Sequence, residues 1–211
     1  TFNIRSSAIP FNPTPIAYAI LGKKESYFFT NTEPLSDEII RYFHENDIIL
    51  SYDYKRFYEI FPSLPLTGIL GYDNSSTNFA LHSLSEQRGG ISINSPIPAL
   101  KSIKNDIEVE NLRNCMVKDG VALVKAFYFI EQEVKDGNEL TELGVEEIIK
   151  DKRAEQKDFF CESFRTIAGY GANGAIVHSS ATPESNRVIG KESLLLVDSG
   201  GNYLDGTTDI T

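Results

Sequence analysis

The chain has 211 residues, 41% of them hydrophobic and 24% charged, with a formal net charge of −10. That balance suits one large or two small globular domains and argues against nucleic acid as a partner, because Lys23-Lys24 and Lys150-Asp151-Lys152-Arg153 are too short and too mixed for phosphate contacts. No apolar run reaches bilayer length and no basic-then-apolar leader opens the chain, while Cys115 and Cys161 stand too far apart for a zinc motif and read as reduced, buried, inert thiols, so the expectation is a cytoplasmic protein away from membranes.

The first fifteen residues carry three prolines and read as extended and irregular. Ile16 to Leu21 and Tyr27 to Thr30 read as strands joined by a hairpin over Gly22 to Ser26. Ser36 begins a helix to about Glu45, with Ile39, Ile40 and Phe43 inward. Ile48 to Ser51 reads as a strand, and Tyr54 to Phe61 as a helix ended by Pro62. Thr67 to Tyr72 is expected as a strand, Asn78 to Leu84 as a short helix broken at Gly89-Gly90, and Ile91 to Ile93 as a last strand. This alternation describes a small α/β domain, and the Pro-rich stretch 95–98 is the expected boundary.

Residues 106–134 carry the strongest periodicity. Val109, Leu112, Met116, Leu123, Phe127, Ile130 and Val134 step by threes and fours and predict one long helix ending at Gly137. A second helix is expected from Glu139 or Thr141 to Gln156. Phe164 to Ala168 and Ala175 to His178 read as strands. Gly169, Gly171 and Gly174 match the letters of a dinucleotide fingerprint, but they lead into strand-like residues rather than a helix, so a hairpin or lining loop is expected there. Asp106, Asp119, Glu131 and Glu146 read as solvated helix-face carboxylates.

Leu194 to Val197 reads as a buried strand closed by Asp198. A turn follows, to which Asn202 and the Asp205-Gly206 dipeptide belong. A second strand is expected near Thr207, with Asp209 in its middle among β-branched neighbours. Carboxylates delivered to one spot from adjoining strands repel unless a cation lies between them. Taken alone, the residues leave a metal pair as one reading beside a turn cap and an exposed acid. His178 ends its expected strand one strand before this pair. It reads as an ordinary core or surface histidine, or as a donor to a substrate carbonyl.

Gly171 to His178, Pro183 to Arg187 and Leu196 to Thr211 resemble the Xaa-Pro aminopeptidases. These belong to the pita-bread metallopeptidase superfamily, with methionine aminopeptidase, prolidase and creatinase. Phe2 to Pro13 resembles the entry to the middle domain of the three-domain members. The resemblance implies an α/β (α+β) chain, with a creatinase-N-terminal-like α/β domain over residues 1–98 and the first half of a pita-bread catalytic domain over 99–211. By position, Asp198 corresponds to a terminal ligand of one metal, Asp209 to the carboxylate bridging two, and His178 to the histidine near the scissile bond. The implied cofactors are two divalent ions, manganese foremost, with zinc or cobalt as alternatives. The implied reaction is removal of the N-terminal residue from peptides with proline in second position, by a metal-activated water.

The same resemblance places one histidine and two glutamate ligands, and a second substrate-contacting histidine, beyond Thr211, and a further domain before Thr1. A fragment, inactive alone, is therefore expected, with an apolar face open to dimerisation. Ser179 stands where many relatives carry an aromatic residue, which bears on fine substrate preference. The alternatives are a non-catalytic pita-bread module that binds peptide or protein, and a creatinase-like metal-free hydrolase, which has no reason to keep both aspartates.

Overall fold

The computed structural model describes residues 2–31 and 35–211. The chain folds as two units, residues 1–9 with 13–103, and residues 10–12 with 104–211. In the first, β1 (Ala17–Ile20) and β2 (Ser26–Thr30) form the expected antiparallel hairpin, with Ala17 opposite Thr30. The helix α1 (Asp37–Glu45) then returns the chain so that β3 (Ile48–Ser51) lies parallel to β2. The Ser36 hydroxyl accepts from the Ile39 amide, and Asp37 and Glu38 meet the positive helix end. Phe43 is buried, but Ile40 is exposed. It lies about a quarter-turn from the Ile39–Phe43 line, because each helical residue turns the face by about 100°.

Residues 54–63 fold as two 3₁₀ turns around the single helical turn α2 (Phe57–Ile60). Pro62 sits at the start of the second turn, where no amide hydrogen is needed, so it does not end the helix as expected. The strand expected over 67–72 shrinks to β4 (Gly71–Tyr72), since Gly68 has φ +85°. After α3 (Phe79–Gln87), capped by Asn78, β5 (Ile91–Ser92) pairs with β4 in parallel. Pro96 and Pro98 open the short helix α4 (Ile97–Ser102). Tyr27, Phe29, Phe57 and Phe61 form this unit's core.

The second unit is organised by α5 (Asp106–Asp136), close to its expected span. Asn105 and Glu108 make a reciprocal capping box, and Gly137 ends the helix at φ +78°. The inward stripe differs from expectation. Cys115, Asp119, Ala122, Leu123, Ala126 and Ile130 are buried, whereas Met116 and Phe127 are 47% and 45% exposed. Ala122 and Ala126 leave room for α6 (Glu142–Ala154), whose Val145 and Ile149 join Leu123, Ala126 and Ile130 in the core. Glu146, expected in water, is mostly buried, with a side chain 14% exposed.

Five short strands complete the unit: β6 (Phe159–Glu162), β7 (Ile167–Tyr170), β8 (Leu195–Asp198), β9 (Gly201–Tyr203) and β10 (Gly206–Thr207). β9 pairs antiparallel with β6 on one side and β10 on the other, and β7 pairs antiparallel with β8. The strand expected over 164–168 lies at 167–170, and β6 was not expected. Residues 175–178 form no strand. Gly171–Ala175 is a 3₁₀ helix and a turn follows. The cause is local. The Asn173 side chain donates to the Glu142 carboxylate and to the Ser185 carbonyl, and the Ile176 amide bonds back to the Asn173 carbonyl. The backbone is thereby curled away from any ladder.

Candidate metal centre

Asp198 closes β8 opposite Ile167. The next residues make a second, tighter pairing with the chain's end. The amides and carbonyls of Ser199 and Ile210 exchange two hydrogen bonds, of 3.0 and 2.9 Å, and the Thr208 amide donates to the Gly201 carbonyl at 2.9 Å. The Thr208 hydroxyl also accepts from the Gly201 amide. With Ser199 opposite Ile210 and Gly201 opposite Thr208, Gly200 faces Asp209. Antiparallel alternation then puts Asp198 and Asp209 on the same face, as diagonal neighbours. Gly200 permits this approach, because a Cβ there would overlap the Thr208 carbonyl oxygen and the Ser163 hydroxyl. Asp209 lies just beyond β10, outside regular strand and exposed, rather than mid-strand as expected.

Asp198 is half-buried, and its Oδ1 is fully buried with no hydrogen-bond partner. A buried carboxylate oxygen without a donor is costly. A cation held by this carboxylate would satisfy it, and an all-oxygen donor pair suits hard divalent ions. The two aspartates thus fit part of such a shell. Among the described residues, no group of three His, Cys, Asp or Glu side chains gathers around a common point.

His178 lies in the turn after the 3₁₀ helix, exposed, with φ +60°. A positive φ is uncommon outside glycine and marks a backbone held by its surroundings. No hydrogen bond or ion pair joins His178 to either aspartate among the described residues. A cavity of about 30 Å³ beside this turn is lined by Asn173, Ser179, Ser180 and Ala181, which is space for solvent rather than for a side chain. The loop is anchored by Glu142, which is fully buried. Its carboxylate accepts from the Tyr170 amide at 2.6 Å, from Asn173 Nδ2 and from the Arg187 amide.

Several polar residues that sequence reasoning missed hold the aspartate hairpin. Asp119, read as solvated, is fully buried and accepts from Arg153 Nε at 2.7 Å and from the Tyr203 hydroxyl at 2.8 Å. Burial foremost, and then the bond to Asp119, hold the Tyr203 phenol above its ordinary range. Asp205, read only as a turn-maker, pairs with Lys118 Nζ at 2.8 Å. Asn202 donates to the carbonyls of Phe11 and Glu162. The one available signal was spacing, since Asp119 falls on the Cys115–Ala122–Ala126 line of α5. Cys115 is buried as expected, and burial foremost pushes its thiol up to about 11. Cys161 is only half-buried.

Residues 1–108 match the creatinase/prolidase N-terminal domain family, and residues 110–211 match metallopeptidase family M24. A Coprinopsis cinerea protein named "Probable Xaa-Pro aminopeptidase P" is 35% identical over all of this chain and 36% of its own length. A namesake from Arthroderma benhamiae is 34% identical over all of the chain and 31% of its own. The chain thus spans about a third of the length of these curated relatives. Among solved structures, X-prolyl aminopeptidase from Caenorhabditis elegans, described as a cytosolic enzyme with a di-nuclear active site, superposes with a TM-score of 0.88 at 28% identity, over 99% of this chain and 35% of that one. X-Pro aminopeptidase from Thermotoga maritima shares the fold, with a TM-score of 0.69 at 15% identity over 98% of this chain and 57% of its own. The creatinase/prolidase match alone takes in just over half of the sequence and the metallopeptidase match takes in nearly all the rest, so the chain belongs to the creatinase/prolidase N-terminal domain family over its first half and continues into a metallopeptidase family M24 domain.

Proposed function

We propose that these residues serve a metal-dependent aminopeptidase that removes the N-terminal residue from peptides with proline in second position. Because the chain spans about a third of its relatives' length, the activity is proposed for a protein of that length carrying these residues. The observation that carries the reading is the buried, unpartnered Oδ1 of Asp198 on the face it shares with Asp209. In this reading Asp198 holds one divalent ion and Asp209 lies between two, with manganese foremost and zinc or cobalt as alternatives. Such ions supply Lewis acidity and an activated water for amide hydrolysis. His178, exposed and held at positive φ, donates to the substrate carbonyl. The names of the relatives and the di-nuclear site of the nematode enzyme support the reading. A cytoplasmic location and a homodimer belong to the same proposal. No helix of the described residues is long and apolar enough to cross a membrane.

The test is Asp209→Asn in the protein of full relative length. The variant should lose Xaa-Pro cleavage by a factor of about 100 or more, the scale of losing a charge that stabilises the transition state. Undiminished turnover would refute the assignment. The 211-residue chain by itself should show no turnover with manganese added. The second reading is a non-catalytic peptide-binding module, and the retention of Asp198, Asp209 and His178 speaks against it. Retained peptide binding by the full-length protein with no hydrolysis under any divalent ion would select it.

A further inference from the structure

The hairpin that carries the two aspartates is short, and its own hydrogen bonds do not fix where it lies on the unit. Beneath it sits a buried polar cluster. Arg153 on α6 and Asp119 on α5 are both wholly buried, paired through two bonds of 2.7 and 3.0 Å. The Tyr203 hydroxyl of β9 adds a third bond to Asp119, and Tyr203 is only 3% exposed. The ring of Tyr203 and the Arg153 stem both pack where Gly201 lacks a side chain, so that a Cβ there would lie 2.8 Å from the ring and 3.4 Å from Arg153 Cδ. Gly201 in turn pairs with Thr208, the residue before Asp209, and stands three residues after Asp198.

A buried ion pair is a poor device for stability, since well-packed apolar residues of like volume serve as well or better. Here it is not even fully satisfied, because Arg153 Nη1 has no protein partner. What such a cluster does supply is direction, since its bonds form in one arrangement only. We propose that Asp119, Arg153 and Tyr203 are positioning residues that lock the Gly201–Thr208 pairing onto α5 and α6 and so set where Asp198 and Asp209 stand. The consequence for metal affinity rests on the function proposed above. The placement of the hairpin does not.

The experiment compares the 211-residue chain with Tyr203→Phe, Arg153→Lys and a control, Ile149→Val, which thins the core without touching the cluster. Two quantities are read at a temperature where every variant is folded: amide hydrogen exchange, and Mn²⁺ affinity from paramagnetic broadening of amide signals. Tyr203→Phe keeps the ring and the ion pair, so it should fold. It should speed exchange at Ser199, Thr208 and Ile210 about tenfold while the α5 amides hold, and weaken Mn²⁺ binding about tenfold, as loss of an outer hydrogen-bonding partner does. Arg153→Lys, which keeps charge but not the fork, should act the same way, and Ile149→Val should do neither selectively. Unchanged exchange in the hairpin, or a parallel rise across the whole unit, overturns the positioning role, as does a loosened hairpin with unaltered Mn²⁺ affinity. If wild-type protein fails to gather Mn²⁺ at the aspartates while the hairpin still loosens selectively in the variants, the metal reading falls and the placement role stands.

Discussion

Single acidic residues divide by what surrounds them, and that division decides their chemistry. Asp198 has one buried oxygen with no hydrogen-bond partner. Asp119 spends its carboxylate on Arg153 and Tyr203. Glu146 falls between. Its Oε1 is buried without a partner and its Oε2 lies 3.6 Å from Arg165 Nε. Burial is the largest influence and raises its pKa, Arg165 pulls it down, and Glu162 pushes it up. The folded state therefore disfavours the charged form. Below the ordinary carboxylate pKa both states are protonated and there is no penalty; as pH rises through the raised folded value the penalty develops in full. Glu146→Gln should accordingly raise Tm at pH 7, and the gain should vanish as pH falls below the ordinary range. A Tm lowered at pH 7 would show that the Arg165 pairing outweighs burial. Reading residues by helical face put Asp119 and Glu146 in water, since charge is normally solvated. Their partners, Arg153 and Arg165, lie 34 and 19 positions away in sequence and cannot be found from periodicity.

At the scale of elements, what was legible had local causes. The capping box and αL glycine of α5, the Ser36 and Asn78 caps and the β1–β2 hairpin all follow from neighbouring residues. What failed had distant ones. Residues 175–178 have strand composition, but Glu142, about thirty residues upstream, captures Asn173 and bends the segment. The inner stripe of α5 is set by where α6 packs, so the larger Met116 and Phe127 lost to Ala122 and Ala126. For the candidate site, the sequence singled out both aspartates but read a turn through Asn202 where the strand β9 lies, and the register that puts the aspartates on one face was not legible. That register depends on Gly200. Gly200→Ala should cost about 1–3 kcal/mol, as overpacking does, because the new Cβ meets the Thr208 backbone and the Ser163 hydroxyl. Urea unfolding reads this directly, and an unchanged midpoint would mean that the two segments do not approach as closely as described.

For the molecule as a whole, the candidate chemistry lies in the second unit, while the first is an aromatic-cored α/β domain. The net charge of −10 spreads carboxylates over the surface, so metal binding as such says little, since an acidic surface gathers divalent ions weakly everywhere. Location is the informative quantity. The most direct measurement is a titration of the ¹⁵N-labelled chain with substoichiometric Mn²⁺, following the broadening of each amide. The account predicts loss of signal concentrated at 198–200 and 208–210, and its disappearance in the Asp198→Asn, Asp209→Asn double variant. Broadening spread evenly over the acidic surface, or unchanged by the double substitution, would contradict it.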